Sequence, residues 1–106
     1  MANKKEDLDS DTVLENKEKV EVKKPNMYKV IFHNDDFTTM EFVIFVLQVV
    51  FQKSEYESID IMLEIHHNSS SSVGVYTKDI ATTKVAEATK LAEEFEYPLM
   101  ITMEKE

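Results

Sequence analysis

Apolar and polar positions alternate over residues 27–33, MYKVIFH, so that Tyr28, Val30 and Phe32 share one face at period two. A β-branched and aromatic run with this alternation predicts a strand buried on one side. Asn34, Asp35 and Asp36 end it, because Asn and Asp side chains hydrogen-bond nearby backbone and favour turns. The apolar run 42–51, FVIFVLQVVF, is ambiguous by itself, since its Val, Ile and Phe content also suits a strand. Its length and the residues before it predict a buried helix of about 13 residues, opened by a capping box with Thr38 as N-cap and Glu41 reaching back.

A second capping box, Ser54 to Glu57, opens another helix. Ile59, Met62, Leu63 and His66 fall at helical spacing, which puts apolar packing and a histidine on one face. Asn68 and the serine run 69–72 read as its end and a loop. A short strand, VGVYT (73–77), holds the only glycine, Gly74. Ala81, Val85, Ala88, Ala92 and Phe95 then recur at helical spacing, and that helix stops before Pro98, since the residue preceding a proline avoids helical angles. LMITM (99–103) is the last strand. The order β-α-α-β-α-β predicts an α+β sandwich, a small sheet with three helices on one face.

Residues 1–24 contain no aromatic and only isolated aliphatics, too little apolar area to offset ordering entropy, so a disordered N-terminal extension is expected there. Pro25 marks its boundary with one core domain over 25–106. The extension is either a passive solubilising tail or a functional arm. The longest apolar run is too short to span a bilayer, and no secretory or transit signal is recognisable. With no cysteine, disulfides, thiolate metal sites and cysteine nucleophiles are excluded, and a soluble cytoplasmic protein is expected.

Net charge is −9, and all twelve basic residues are lysine. Six lysines face seven acids up to Lys24, and six face fourteen beyond it, so the acidity belongs to the core. Such a core argues against nucleic-acid binding, which needs basic patches, and favours cationic partners.

One glycine leaves no phosphate-binding loop, and no serine sits in a nucleophile elbow, so no enzymatic activity is expected. The polar cluster 33–36 has three readings. It can be a turn with a helix cap; a socket for an ammonium group, which offers three donors and no acceptor; or a metal site with His66 and His67. Against the metal, adjacent helical histidines point about 100° apart and cannot both face one ion. For the socket, Met40, Met62, Ile65 and Leu99 are candidates to line an adjoining apolar pocket, although each also suits ordinary core.

The stretches MYKVIFHNDDFTTMEFVIFVLQ, IMLEIHH, GVYTKDIATTKVAEA and YPLMITMEKE closely resemble the ClpS family, adaptors that hand N-end-rule substrates to the ClpA unfoldase of the ClpAP protease. The resemblance covers nearly all of the predicted core and implies a three-stranded antiparallel sheet with three helices. It implies that Asn34, Asp35 and His66 bind the substrate's α-amino group, with Asp36 at the rim and Thr38 on the first residue's backbone. Met40 would be the gate against β-branched side chains, and Met62, Ile65 and Leu99 would line the hydrophobic pocket. Ligands would be proteins beginning with Leu, Phe, Tyr or Trp. Asp79 and Lys84 would dock on the N-domain of ClpA or its relative ClpC, and the N-terminal arm would serve handover. A monomer without cofactor or metal is expected. Three residues depart from the family's usual pattern: Ser69 replaces a glycine, Thr82 a glutamate and Ile65 a valine. A divalent-metal protein and a module related to the ribosomal stalk domain, which shares the element order, are the alternatives.

Overall fold

The computed structural model describes residues 25–106; the expected extension over 1–24 lies outside the described residues. The elements are β1 (Met27–His33), α1 (Met40–Val49), α2 (Glu55–Asn68), β2 (Ser70–Thr77), α3 (Lys78–Glu94) and β3 (Met100–Lys105). β1 is the central strand, antiparallel to β2 on one side and β3 on the other, giving the expected α+β architecture. Tyr28, Val30 and Phe32 do share the covered face; Val30 and Phe32 are fully buried beside Val46 and Leu47 of α1.

β2 starts earlier than expected. Ser70, Ser71 and Ser72 pair with His33, Phe32 and Ile31, so the serine run is strand rather than loop. Serine has little intrinsic preference for a strand, and here the ready-made edge of β1 supplies the hydrogen-bonding partners. The register slips between Val30 and Ile31, leaving Val73 as an extra, buried residue. Beyond that bulge, a Cβ at Gly74 would lie 2.5 Å from Tyr76 Oη. Glycine thus leaves room for the Tyr76 ring to fold back and reach Phe51, 6.3 Å away between centroids.

Two helix faces differ from the period-based expectation. In α2 the buried residues are Ser58, Met62 and Ile65, whereas Leu63 and His66 are exposed. Hydropathy overlooks a serine, yet a small side chain at 58 permits close approach and turns the buried stripe toward it. In α3 the alanines Ala81, Ala88 and Ala92 are buried and let the helix lie close to the sheet, but Phe95, past its end, is 53% exposed.

The end of α1 depends on a distant side chain. Its last turn has no basic residue of its own, and Gln52 takes a left-handed φ of 53°. Lys84 of α3 supplies the missing cation: its Nζ donates to Val50 O at 2.8 Å and to Gln52 Oε1 at 3.1 Å. The same ammonium lies 5.7 Å from the ring centres of both Phe51 and Tyr76. α2 ends at Ser69, whose φ of 73° is left-handed and costs a non-glycine residue about 1–2 kcal/mol.

Lys84→Met should lower stability by about 1–2 kcal/mol, the worth of charge-assisted bonds at a partly exposed site, read as a lower urea midpoint at unchanged slope. An unchanged midpoint would mean that these bonds contribute nothing. Ser69→Gly should raise stability by about 0.5–1 kcal/mol, the relieved strain less the entropy cost of glycine, and lift the thermal midpoint by roughly 2–8 °C. A lower midpoint would rule out strain at Ser69.

Candidate functional site

β1 delivers Asn34 to the end of α2, where the Asn34 N–H donates to the carbonyl of Ser69 at 2.8 Å. That one bond joins the β1–α1 turn to the last turn of α2, which carries His66. The left-handed turn at Ser69 therefore does more than stop a helix: it holds the two polar segments of the site together.

The carboxylate of Asp35 organises the turn. Its Oδ1 accepts the N–H groups of Phe37 at 2.8 Å and Thr38 at 2.7 Å, and its Oδ2 accepts the Thr38 hydroxyl at 2.7 Å. Partial burial pushes the Asp35 carboxyl up, but the bonds from the Thr38 hydroxyl, the Thr38 N–H and the Phe37 N–H outweigh it and hold the group below the ordinary carboxylate range. The turn's contribution is therefore intact above that range and is lost only when acid protonates Asp35 below it. An ionised carboxylate offers about four acceptor positions, so about one, on Oδ2, is left together with the negative charge.

This bonding corrects the expected cap. Thr38 spends both its N–H and its hydroxyl on Asp35, and the N-cap of α1 is Thr39, whose Oγ1 accepts the Phe42 N–H at 3.1 Å. With Thr39 as cap, Glu41 no longer occupies the capping-box position and instead places its charge in the first turn, where the helix dipole favours it. The capping box expected at Ser54 and Glu57 is present in full.

The side chains of Asn34, Asp36 and His66 are exposed around this turn, and Met40, the first residue of α1, is 46% exposed. Met62 and Ile65 of α2 and Leu99, just before β3, are buried members of one core cluster. The structure thus brings the polar candidates to one edge and buries Met62, Ile65 and Leu99, though not Met40, in one cluster. His33 belongs elsewhere: its Nε2 and Thr102 Oγ1 share a 2.8 Å hydrogen bond across β1 and β3. Strand alternation sends His33 to the face opposite the buried Phe32, a placement legible in the period, whereas its partner was not. Among the described residues no three His, Cys, Asp or Glu side chains are grouped to hold a metal ion, and no helix is long and apolar enough to cross a membrane.

Asp79 and Lys84 lie away from this edge. Met27 pairs with Thr77 at one end of β1 and His33 with Ser70 at the other, so Asp79, in the first turn of α3, sits about 20 Å from Asn34 along the strand. Asp79 and its neighbour Ile80 are exposed, while the Lys84 ammonium is engaged internally as described above.

Residues 23–102 match the family model described as ATP-dependent Clp protease adaptor protein ClpS. The ATP-dependent Clp protease adapter protein ClpS of Myxococcus xanthus is 45% identical over 102 residues, covering 96% of this chain and 95% of that one. Its counterpart in Desulfotalea psychrophila is 42% identical over 106 residues, the whole of both chains. The structure of Agrobacterium tumefaciens ClpS2 bound to L-phenylalaninamide superposes with a TM-score of 0.76 at 46% identity, covering 78% of this chain and all of that one. Fold, motif and sequence likeness agree: this chain belongs to the ClpS family of ATP-dependent Clp protease adaptors.

Proposed function

We propose that the chain is a non-catalytic adaptor that binds proteins through a free α-amine and a hydrophobic first side chain, and passes them to a Clp unfoldase for degradation. The observation that carries this reading is the Asp35 carboxylate: fixed by three bonds from its own turn, it keeps a charge and one acceptor position for an ammonium group. Asn34 and His66, tied together by the Asn34–Ser69 bond, supply further acceptors, with Asp36 at the rim. Thr38 meets the backbone of the first residue. Met40 gates a pocket walled by Met62, Ile65 and Leu99, which accepts Leu, Phe, Tyr or Trp. In support, the Agrobacterium relative binds L-phenylalaninamide, which pairs a free amine with a benzyl group.

Delivery uses the opposite end of the sheet. The exposed face of Asp79 and Ile80 docks on the N-domain of ClpA or ClpC, and Lys84 contributes by holding residues 50–52 against α3. The 1–24 arm serves handover. The adaptor works in the cytoplasm as a monomer.

A charge-removing change that spares the turn gives the sharpest test. In Asp35→Asn the amide oxygen can still accept from Phe37 and Thr38, and the amide nitrogen can meet the Thr38 hydroxyl, so the fold should persist. Binding of a Phe-led peptide should nevertheless fall at least about thirtyfold, the lower end for losing one partner of a desolvated charge pair. Acetylating the peptide's N-terminus should abolish binding, since it removes charge and donors. Near-normal affinity in either arm, measured by fluorescence anisotropy, would defeat the reading. The pocket has its own test, because one methylene is worth about 1–3 kcal/mol in a hydrophobic site. Ile65→Val should improve Trp-led relative to Phe-led peptides, and an unchanged ratio would refute Ile65 as a pocket wall.

A further inference from the structure

Four aromatic rings gather beside the adaptor's proposed binding edge without belonging to it. Phe42 is their buried base, with Tyr97 at 4.6 Å, Phe95 at 5.4 Å and Phe45 at 6.2 Å between ring centroids; Phe45 and Phe95 lie 5.9 Å apart. With Thr39 and Glu41 they line an open groove of about 330 Å³. The groove is held in place by ordinary structural bonds. Tyr97 N–H donates to Ala92 O at 2.8 Å, Glu96 takes a left-handed φ of 63° to let the chain turn back, and the Thr39 hydroxyl reaches Tyr97 Oη at 3.5 Å. Phe45 and Phe95 stay 40% and 53% exposed, a standing cost that their packing against each other does not remove.

Among the described residues, the one charged side chain that lines the groove is acidic. Glu41 lines the groove, and Glu94 and Glu96 flank Phe95 in the chain. α3 ends here with Glu93 and Glu94 and no basic residue in its last turn, where the helix dipole is already negative. The nearest lysine along that helix, Lys90, stands a full turn back from Glu94. Aromatic faces carry negative potential as well, so rings, carboxylates and helix terminus all favour a cation at the same place.

We propose that this groove seats an arginine side chain from a partner protein, with the guanidinium on the faces of Phe45 and Phe95 and its N–H groups turned to Glu41. Arginine fits better than lysine because its planar, weakly hydrated head stacks on rings and bonds a carboxylate in the same pose. A neutral apolar occupant would cover the rings but leave the carboxylates unanswered. The groove is distinct from the α-amine site, and its occupant needs no free N-terminus.

The test uses the full chain and an alanine peptide carrying two arginines, acetylated at its N-terminus and amidated at its C-terminus. The acetyl group keeps it off the α-amine site, so the outcome is independent of the adaptor reading. In an NMR titration the peptide should shift the ring signals of Phe45 and Phe95, and Phe45→Ser or Phe95→Ser should weaken binding about tenfold while the amide spectrum away from the groove stays that of the folded chain. The lysine version of the peptide should bind more weakly, and the glutamate version should not bind. No shift with the arginine peptide, equal binding by the serine variants, or equal binding by a lysine, glutamate or leucine version would overturn the proposal. So would ring shifts that grow with protein concentration alone, which would make a second copy the occupant.

Discussion

Three hydrogen bonds converge on the carboxylate of Asp35, and most of the proposed binding edge hangs from them. They close the β1–α1 turn, remove Thr38 from the helix and so set the first turn of α1 one residue later. That shift places Met40 at the first helical position, where it is exposed, and buries Phe42 and Val43. The same bonds keep Asp35 ionised below the ordinary carboxylate range. A flexible carboxylate would have to be ordered each time it met an ammonium group, at a cost in side-chain entropy. Here folding has already met that cost.

The second brace is the Asn34–Ser69 bond, which fixes the end of β1 against the end of α2. Its acceptor sits on a residue with left-handed φ, a conformation glycine adopts with less strain. The strained residue is thus also the one that aligns Asn34 with the turn of helix carrying His66. At the far end of the sheet Lys84 plays a comparable part, closing α1 from another helix and resting against Phe51 and Tyr76. Both ends of a short sheet are therefore organised by contacts between residues distant in sequence, and the two proposed surfaces stand a strand's length apart.

Distance in sequence is also what limited the reading of the sequence. Element order and the buried face of β1 were legible because they depend on local period and turn chemistry. The turn after β1 was legible for the same reason, since Asn and Asp at 34–36 mark it. Thr38 was misread as the cap because both threonines suit that role, and only the Asp35 bonds decide between them. The serine run was misread because a strand at 70–72 is imposed by β1 rather than preferred by serine. Phe95 continued the apolar period of α3, yet it lies beyond the helix end and joins the α1 aromatics, a tertiary contact that period cannot express. The bonds from Lys84 to Val50 and Gln52 were invisible for the same reason.

The residues assigned to the apolar pocket are also core residues: Met62, Ile65 and Leu99 are nearly inaccessible and belong to the cluster that contains Phe32 and Leu47. This sharing has a consequence for selectivity. In the proposed pocket, a wall made of core side chains would be held in place by close packing on its other faces and would need little ordering on binding. For the same reason its shape cannot change without cost to the fold, since removing one buried methylene typically lowers stability by about 0.5–1.5 kcal/mol. The polar rim is under no such constraint: Asn34, Asp36 and His66 are exposed, and their replacement leaves the core untouched. In the proposed site, preference among large apolar side chains is therefore tied to stability, whereas recognition of the amine rests on a surface turn that the Asp35 bonds and the Asn34–Ser69 bond couple to the fold.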